Sequence, residues 1–282
     1  MTEQPPIQPT PVGAFRFNTD SAKLEYFDGN QYVNITTDSP EQHTGGTRGV
    51  FIGGGSPYAI DMIQVDTTGS ISDFGTSLSN AGYVAAASSR TRAIGGGDAP
   101  SSTNTIQFIT IASTGDGQDF GDMTTTAHAR SAVSNGTRGI IACGNVSPTD
   151  GNGTNIIDFV TIAQLGNAVD FGDAVSNKRD RASCASPTRG VLAAGYNGDP
   201  VSGSQTNSIE YITMSTLGNG SDFGDLTEAR MGGGGASNAV RGIFGGGHPA
   251  KTVMDSIEIA TLGNATDFGD LIRGQFRGGT AS

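Results

Sequence analysis

The sequence predicts an all-β protein: a closed five-bladed β-propeller of four-stranded blades, preceded by a small N-terminal β-hairpin arm. Three observations predict it. Asp-Phe-Gly occurs five times, at Asp73-Phe74-Gly75, Asp119-Phe120-Gly121, Asp170-Phe171-Gly172, Asp222-Phe223-Gly224 and Asp267-Phe268-Gly269, at intervals of 46, 51, 52 and 45 residues. A second marker runs ahead of it in step: Thr47-Arg48-Gly49, Thr91-Arg92-Ala93, Thr137-Arg138-Gly139, Thr188-Arg189-Gly190 and Val240-Arg241-Gly242. Finally, 44 of the 282 residues are glycine, about twice ordinary usage, without the every-third-residue period of collagen. Two markers that advance together define a true repeat, and each copy holds short β-branched and aromatic clumps punctuated by glycine, the pattern of strands. No capped helix-period pattern accompanies them.

One repeat shows the elements in order. Residues 137–144 read as a short apolar strand ending in glycine, and residues 155–162 as a second with β-branched and aromatic content. Leu165-Gly166-Asn167 makes a turn, residues 169–172 a third strand, and residues 181–186 a fourth. Four strands per unit is the arithmetic of a propeller blade, and five units fill residues 45–282. Residues 272–282 match the segment that precedes Thr-Arg-Gly in the other units, whereas the first unit begins without that segment. The C-terminal segment is therefore expected to complete the first blade and close the ring, which removes two exposed sheet edges.

Ahead of the repeats, residues 1–12 hold four of the 11 prolines and are expected to be extended. Residues 13–44 form the arm. Residues 13–20 alternate, and residues 23–27 and 31–35 flank Asp28-Gly29-Asn30, a hairpin signal. So short a segment cannot support its own core. Phe15, Phe17, Leu24, Tyr26, Tyr32 and Ile35 therefore need cover from the propeller, a second copy or a larger assembly.

Composition narrows the function. A net charge of −11 leaves no basic stripe for phosphates, so nucleic acid is not an expected partner. No stretch approaches the roughly 18 apolar residues of a membrane helix, and the first residues lack a signal-peptide pattern, so no membrane insertion is expected. Cys143 and Cys184 lack metal-type spacing and read as buried free thiols, with a chance pairing as the alternative. His43, His128 and His248 are scattered, no Gly-x-Ser-x-Gly elbow occurs, and residues 149–153 resemble a calcium loop without its later acidic ligand. Asp-Phe-Gly matches the magnesium triplet of kinases, but five copies without a phosphate loop exclude that chemistry. No catalytic residue, metal or cofactor is expected.

The repeated residues read as structural. The five Asp-Phe-Gly phenylalanines are expected in the core between blades. The arginine column Arg48, Arg92, Arg138, Arg189 and Arg241 faces a mostly acidic column, Asp61, Gln107, Asp158, Glu210 and Asp255. Charge-assisted hydrogen bonds between these columns would fix blade register; an arginine ring binding an anion is the alternative. The segments that do not repeat are the loops that follow the Thr-Arg-Gly strand of each unit, between the second and third strands of a blade when residues such as 181–186 are counted as its opening strand, and in a propeller these loops gather on one face. Tyr58, Asp98, Asn145, Tyr196, Asn197 and His248 in these loops offer aromatic planes with amide and carboxylate partners, a kit suited to a neutral glycan or receptor surface.

The Gly-Gly-Gly runs at 53–55, 95–97 and 245–247, with Ala129-Arg130 and Ala229-Arg230 ahead of the next unit, resemble kelch-like repeats. There is no Trp, and the phenylalanine of Asp-Phe-Gly stands in its place. Residues 104–112 and 263–271 are more closely similar to repeat proteins of marine tailed phages, those of cyanobacteria above all. Residues 13–33 resemble a module of phage tail fibres, with Tyr32 near the position of its usual Trp. The resemblance implies a non-enzymatic structural protein of the bacteriophage virion, made in the host cytoplasm and displayed on the particle exterior, on a tail fibre, tail or head surface. The arm would bind other virion proteins or a homo-oligomeric copy, and the propeller would mediate receptor binding at the host surface. Purely structural decoration and a glycan-cleaving propeller enzyme are the alternatives.

Overall fold

The computed structural model describes residues 10–18, 23–35, 46–53, 58–78, 84–97, 102–146, 153–197 and 204–275. The chain divides into two compact units, Met1–Gln42 and His43–Ser282.

The first unit is an antiparallel sheet of β1 (Phe15–Asn18), β2 (Lys23–Phe27) and β3 (Tyr32–Asn34) in that order. The turn after β2 is fixed by Asp28, whose Oδ1 accepts the Asn30 and Gln31 N–H groups at 2.7 and 2.8 Å. Those bonds, the Gln31 one foremost, hold the Asp28 carboxyl below the ordinary carboxylate range. Alternation sorts the side chains by face. Arg16 bonds Glu25 at 2.8 Å and stacks 3.6 Å over the Tyr32 ring, so one face satisfies its own charges. The cross-strand pairs Phe15–Tyr26 and Phe17–Leu24 lie on the other.

The second unit is a succession of antiparallel sheets, and no helix occurs among its described residues. The first sheet holds β4 (Arg48–Ile52), β5 (Ala59–Gln64) and β6 (Ser72–Thr76). The second holds β7 (Ala85–Ser88), β8 (Arg92–Gly96), β9 (Thr105–Thr110) and β10 (Gln118–Asp122). The third holds β11 (Ser131–Ser134), β12 (Arg138–Ala142), β13 (Thr154–Thr161) and β14 (Val169–Arg179). In the fourth are β15 (Ala182–Ala185), β16 (Arg189–Ala193), β18 (Thr206–Thr213) and β19 (Ser221–Arg230), while the short β17 (Tyr196–Asn197) pairs with β14. The fifth holds β20 (Gly234–Ser237), β21 (Arg241–Gly245), β22 (Lys251–Glu258) and β23 (Thr266–Gln275).

The opening strands β7, β11, β15 and β20 contact one another in succession, so the sheets fan about them in a propeller-like arrangement. The first sheet has three strands among the described residues. Of residues 272–282, expected to supply its missing strand, 276–282 lie outside the described residues, and 272–275 continue β23 instead.

One device joins each sheet to the next. In the turn after the third strand, two N–H groups donate to carbonyls of the preceding sheet's Asp-Phe-Gly strand. Gly115 and Gly117 bond Phe74 and Thr76, Gly166 and Ala168 bond Phe120 and Asp122, Gly218 and Gly220 bond Phe171 and Asp173, and Gly263 and Ala265 bond Phe223 and Asp225, all at 2.7–2.9 Å. An Asx side chain in the turn returns a bond: the Oδ1 atoms of Asp116, Asn167, Asn219 and Asn264 accept the N–H of Thr76, Asp122, Asp173 and Asp225 at 2.9–3.0 Å. The glycine of Asp-Phe-Gly makes the approach feasible. At Gly172 φ is +142°, and a Cβ would sit 2.6 Å from the Gly218 carbonyl oxygen.

The phenylalanines follow the expectation in four of five seams. Phe74, Phe120, Phe171 and Phe223 are 2–3% exposed within clusters drawn from two neighbouring sheets. Phe268 does not follow it: it is 46% exposed, because no described turn packs against the fifth sheet's outer strand.

The arginine and acidic columns do not meet as expected. Arg138 lies opposite Thr161 and Asp158 opposite Ile141, so their side chains leave opposite faces of the sheet. The arginines instead reach across the seam to a main-chain carbonyl: Arg48 to Ile111, Arg92 to Ile162, Arg138 to Met214 and Arg189 to Ile259, at 2.9–3.0 Å. Three also stack on an aromatic ring of their own sheet: Arg92 on Phe108, Arg138 on Phe159 and Arg189 on Tyr211, at 4.6, 5.0 and 4.7 Å.

Gly172→Ala and Gly166→Ala share the cost of a non-glycine residue at positive φ, but only the first pushes a Cβ into a neighbouring carbonyl. Chemical denaturation should show Gly172→Ala less stable than Gly166→Ala by roughly 1–3 kcal/mol. Equal losses would mean that the close approach does not constrain the seam.

Candidate functional site

Each variable loop leaves the second strand through a left-handed residue: Gly53, Gly97, Cys143, Ala194 and Gly246, with φ from 60° to 83°. Two positions later stand Asn145, Tyr196 and His248. Three of the residues selected from sequence thus share one register position in three successive sheets.

Each is tied to the segment that enters its sheet. Asn145 N–H donates to the His128 carbonyl at 2.7 Å, His248 N–H to the Met231 carbonyl at 2.8 Å, and Tyr196 pairs with Arg179. Side chains extend the ties. His128 Nδ1 lies 2.8 Å from Ser102 Oγ, and its Nε2 lies 3.4 Å from the Asn145 amide. Arg179 stacks 4.7 Å over Tyr196 and bonds Asp180 at 2.9 Å. Gln205 Nε2 lies 3.0 Å from His248 Nδ1, which links the fourth sheet's loop to the fifth's.

The selected residues differ in what they leave available. Asn145 is buried, Tyr196 and Asn197 are half-buried, and His248 and Tyr58 are exposed. Tyr58 is not joined to the others by any contact among the described residues, and Asp98 and residues 149–152 lie outside them. Ser102, His128, Arg179 and Gln205 were not singled out by sequence. Ser102 and Gln205 sit near the C-terminal ends of variable loops, and His128 and Arg179 just ahead of opening strands, positions a repeat alignment marks only once the pairing is known. The set offers hydroxyl, amide, imidazole and guanidinium groups beside one aromatic plane, which suits hydrogen bonding to a hydroxyl-rich ligand. Among the described residues, no group of three or more His, Cys, Asp or Glu is placed to hold a metal, and no helix is long and apolar enough to cross a membrane.

Four of the five members of the acidic column, Gln107, Asp158, Glu210 and Asp255, serve a seam. Asp158 accepts Thr124 N–H at 3.1 Å and Oγ1–H at 2.7 Å. Burial lowers the pKa of nearby Arg130, and the Asp158 charge works against that shift. Asp255 accepts Thr227 Oγ1–H at 2.6 Å and pairs with Arg230 at 2.6 Å. Glu210 accepts Val175 N–H at 3.0 Å and binds Lys178 and Arg181 at 2.7 and 3.1 Å. Gln107 takes the same place in the second sheet and accepts Leu78 N–H at 2.9 Å. Burial pushes the Glu210 carboxyl up, but Arg181 and Lys178 outweigh it and hold the group below its ordinary value. Lys178 is itself lowered, chiefly by burial and then by Arg181. Cys143 and Cys184 are free and buried, and burial raises both thiols, Cys184 to about 12, so neither is a ready nucleophile.

No family model and no curated protein matches the chain. Among solved structures it is similar to that entitled "Structure of YjhT", with a TM-score of 0.68 over 83% of this chain and 84% of that chain, at 9% identity. At that identity the likeness shows a shared fold alone.

Two outcomes check the buried network. Arg230→Ala leaves Asp255 buried without its cation and should cost about 3–5 kcal/mol in chemical denaturation. Because the Glu210 pKa is depressed in the folded state, its contribution is present above the unfolded carboxylate value and is lost as pH falls through the folded one. Glu210→Gln should therefore flatten the fall in stability below about pH 4.5; an unchanged acid limb would place the titrating group elsewhere.

Proposed function

We propose that this protein is a non-enzymatic structural component of a tailed-phage virion, of the cyanophage type, displayed on a fibre, tail or head surface. Its second unit is a closed five-bladed, kelch-like propeller whose loop face contacts a host-surface glycan or receptor, and its arm holds other virion proteins or a copy of itself. The observation that carries this reading is where the polar groups go. At four seams the repeated arginines, the polar residues of the acidic column and the turn amides are engaged in bonds between sheets, so they are not available as a site. Asn145, Tyr196 and His248, which differ from sheet to sheet at one register position, can specialise. In the arm, Phe15 and Phe17 are 68% and 62% exposed, beside Leu24 and Tyr26, so an apolar sheet face is left for another surface. Tyr32 and Ile35, named with them from sequence, are half-buried.

Purely structural decoration is favoured by one observation, the internal bonding of Asn145 and His248. Binding separates the two readings. The full-length protein should adhere to host cells, and Tyr58→Ala with Tyr196→Ala should weaken adhesion at least about tenfold, roughly the loss of one hot-spot side chain. Absence of adhesion would leave decoration, and release of reducing sugar from host polysaccharide would overturn the non-enzymatic reading. For the closed ring, deleting residues 276–282 should lower the melting temperature by roughly 10 °C, as expected when a paired strand is lost from a unit of this size; an unchanged melting temperature would contradict closure.

A further inference from the structure

The fifth Asp-Phe-Gly is shaped like the other four and has no occupant among the described residues. Gly75, Gly121, Gly172, Gly224 and Gly269 share φ between 131° and 154°, and at the first four the next sheet's turn carbonyl fills the space where a Cβ would be. At Gly269 nothing lies within 4 Å, Phe268 is exposed, and Ile272 is fully exposed. The first sheet carries the complementary half. Gly69 holds the sequence position of Gly115, Gly166, Gly218 and Gly263 in their turns, also with nothing within 4 Å but without their φ of 148° to 157°, and Val65 and Ile71 of the same turn are exposed. Among the described residues no partner reaches Asp61, the first member of the acidic column.

The two halves differ from all four working seams in one residue, and from the third–fourth and fourth–fifth seams in a second. The turn residue after the glycine is Asp116, Asn167, Asn219 or Asn264 elsewhere and Ser70 here, whose shorter side chain reaches less far toward the Asp270 N–H. By strand register, Lys178 and Arg230 pair with Thr154 and Thr206, and Gln275 pairs with Lys251 at the same rung. Lys178 and Arg230 neutralise buried Glu210 and Asp255 across their seams. The residue that would meet Asp61 is therefore an uncharged glutamine, and a carboxylate desolvated there would lack a full counter-charge.

We infer that the turn of the first sheet at Gly69 docks on Phe268 and Gly269 as a fifth copy of the seam, and that Ser70 and Gln275 make this seam the weakest, so the ring opens there. Docking gives Gly69 N–H to the Phe268 carbonyl, Ile71 N–H to the Asp270 carbonyl and Arg241 to the Val65 carbonyl. The inference rests on the closed-ring reading, and the two fail differently.

The test compares two engineered disulfides in the full-length chain, Ser70→Cys with Asp270→Cys at this seam and Asn167→Cys with Asp122→Cys at an internal one, together with native-state hydrogen exchange of the unmodified protein. The expected result is an intramolecular disulfide in both. The first should raise the melting temperature more, and Gly69 and Ile71 amides should exchange at least tenfold faster than those of Gly166 and Ala168. A disulfide at 70–270 that stabilises no more than the internal one, with equal exchange, would overturn the weak seam while sparing closure. A 70–270 pair that forms only between molecules would overturn both.

Discussion

The second unit depends on a turn glycine being able to lie against the main chain of the preceding sheet. Two amide donors, one returned Asx bond and a cleared Cβ position recur at four seams. The rest is arranged around that approach. The phenylalanine between the two glycine contacts is pressed into a core shared by both sheets, and the arginine of Thr-Arg-Gly closes the other side of the seam on a carbonyl. Main-chain atoms set the geometry, so loops between the second and third strands can vary in length and content without disturbing it.

Burying an acid at each seam would be costly without the groups that meet it. The outer strand supplies them by running on past Asp-Phe-Gly. A break in register after Asp173, Asp225 and Asp270 re-aims the strand so that its later residues pair with the start of the third strand. Lys178 and Arg230 arrive at buried carboxylates in this way, and the same extension carries the chain to Arg179 and Met231, where it ties down the variable loops. Seam chemistry and loop placement are thus consequences of one strand extension. The charged groups of the repeat end in the interior, and the loop face is left with amides, imidazoles and an aromatic ring.

Much of this was legible in the sequence. The two repeated markers set the strand count and the unit boundaries, and Asp28-Gly29-Asn30 placed the arm's turn. The pairing of the arginine and acidic columns was misread because spacing along the chain does not show face: Arg138 and Asp158 lie three rungs apart on antiparallel strands, an odd number that sends them to opposite sides. The cations that serve the acids were hidden because their position does not keep one residue type: eight residues after the Asp-Phe-Gly aspartate stand Ala127, Lys178, Arg230 and Gln275. Ser102 and His128 meet across an intersheet gap that no local pattern records. Phe268 follows the repeat in sequence but not in burial, since its environment belongs to a different part of the chain.

A scaffold that neutralises its own repeated charges, a face of non-repeating loops and an arm with an outward apolar sheet face together support a displayed attachment protein. Antibody labelling of purified phage particles, viewed by electron microscopy, tests that account most directly. The account predicts label at discrete sites on the exterior of the fibre, tail or head. Particles that carry no label, from lysates in which the protein is abundant, would contradict it.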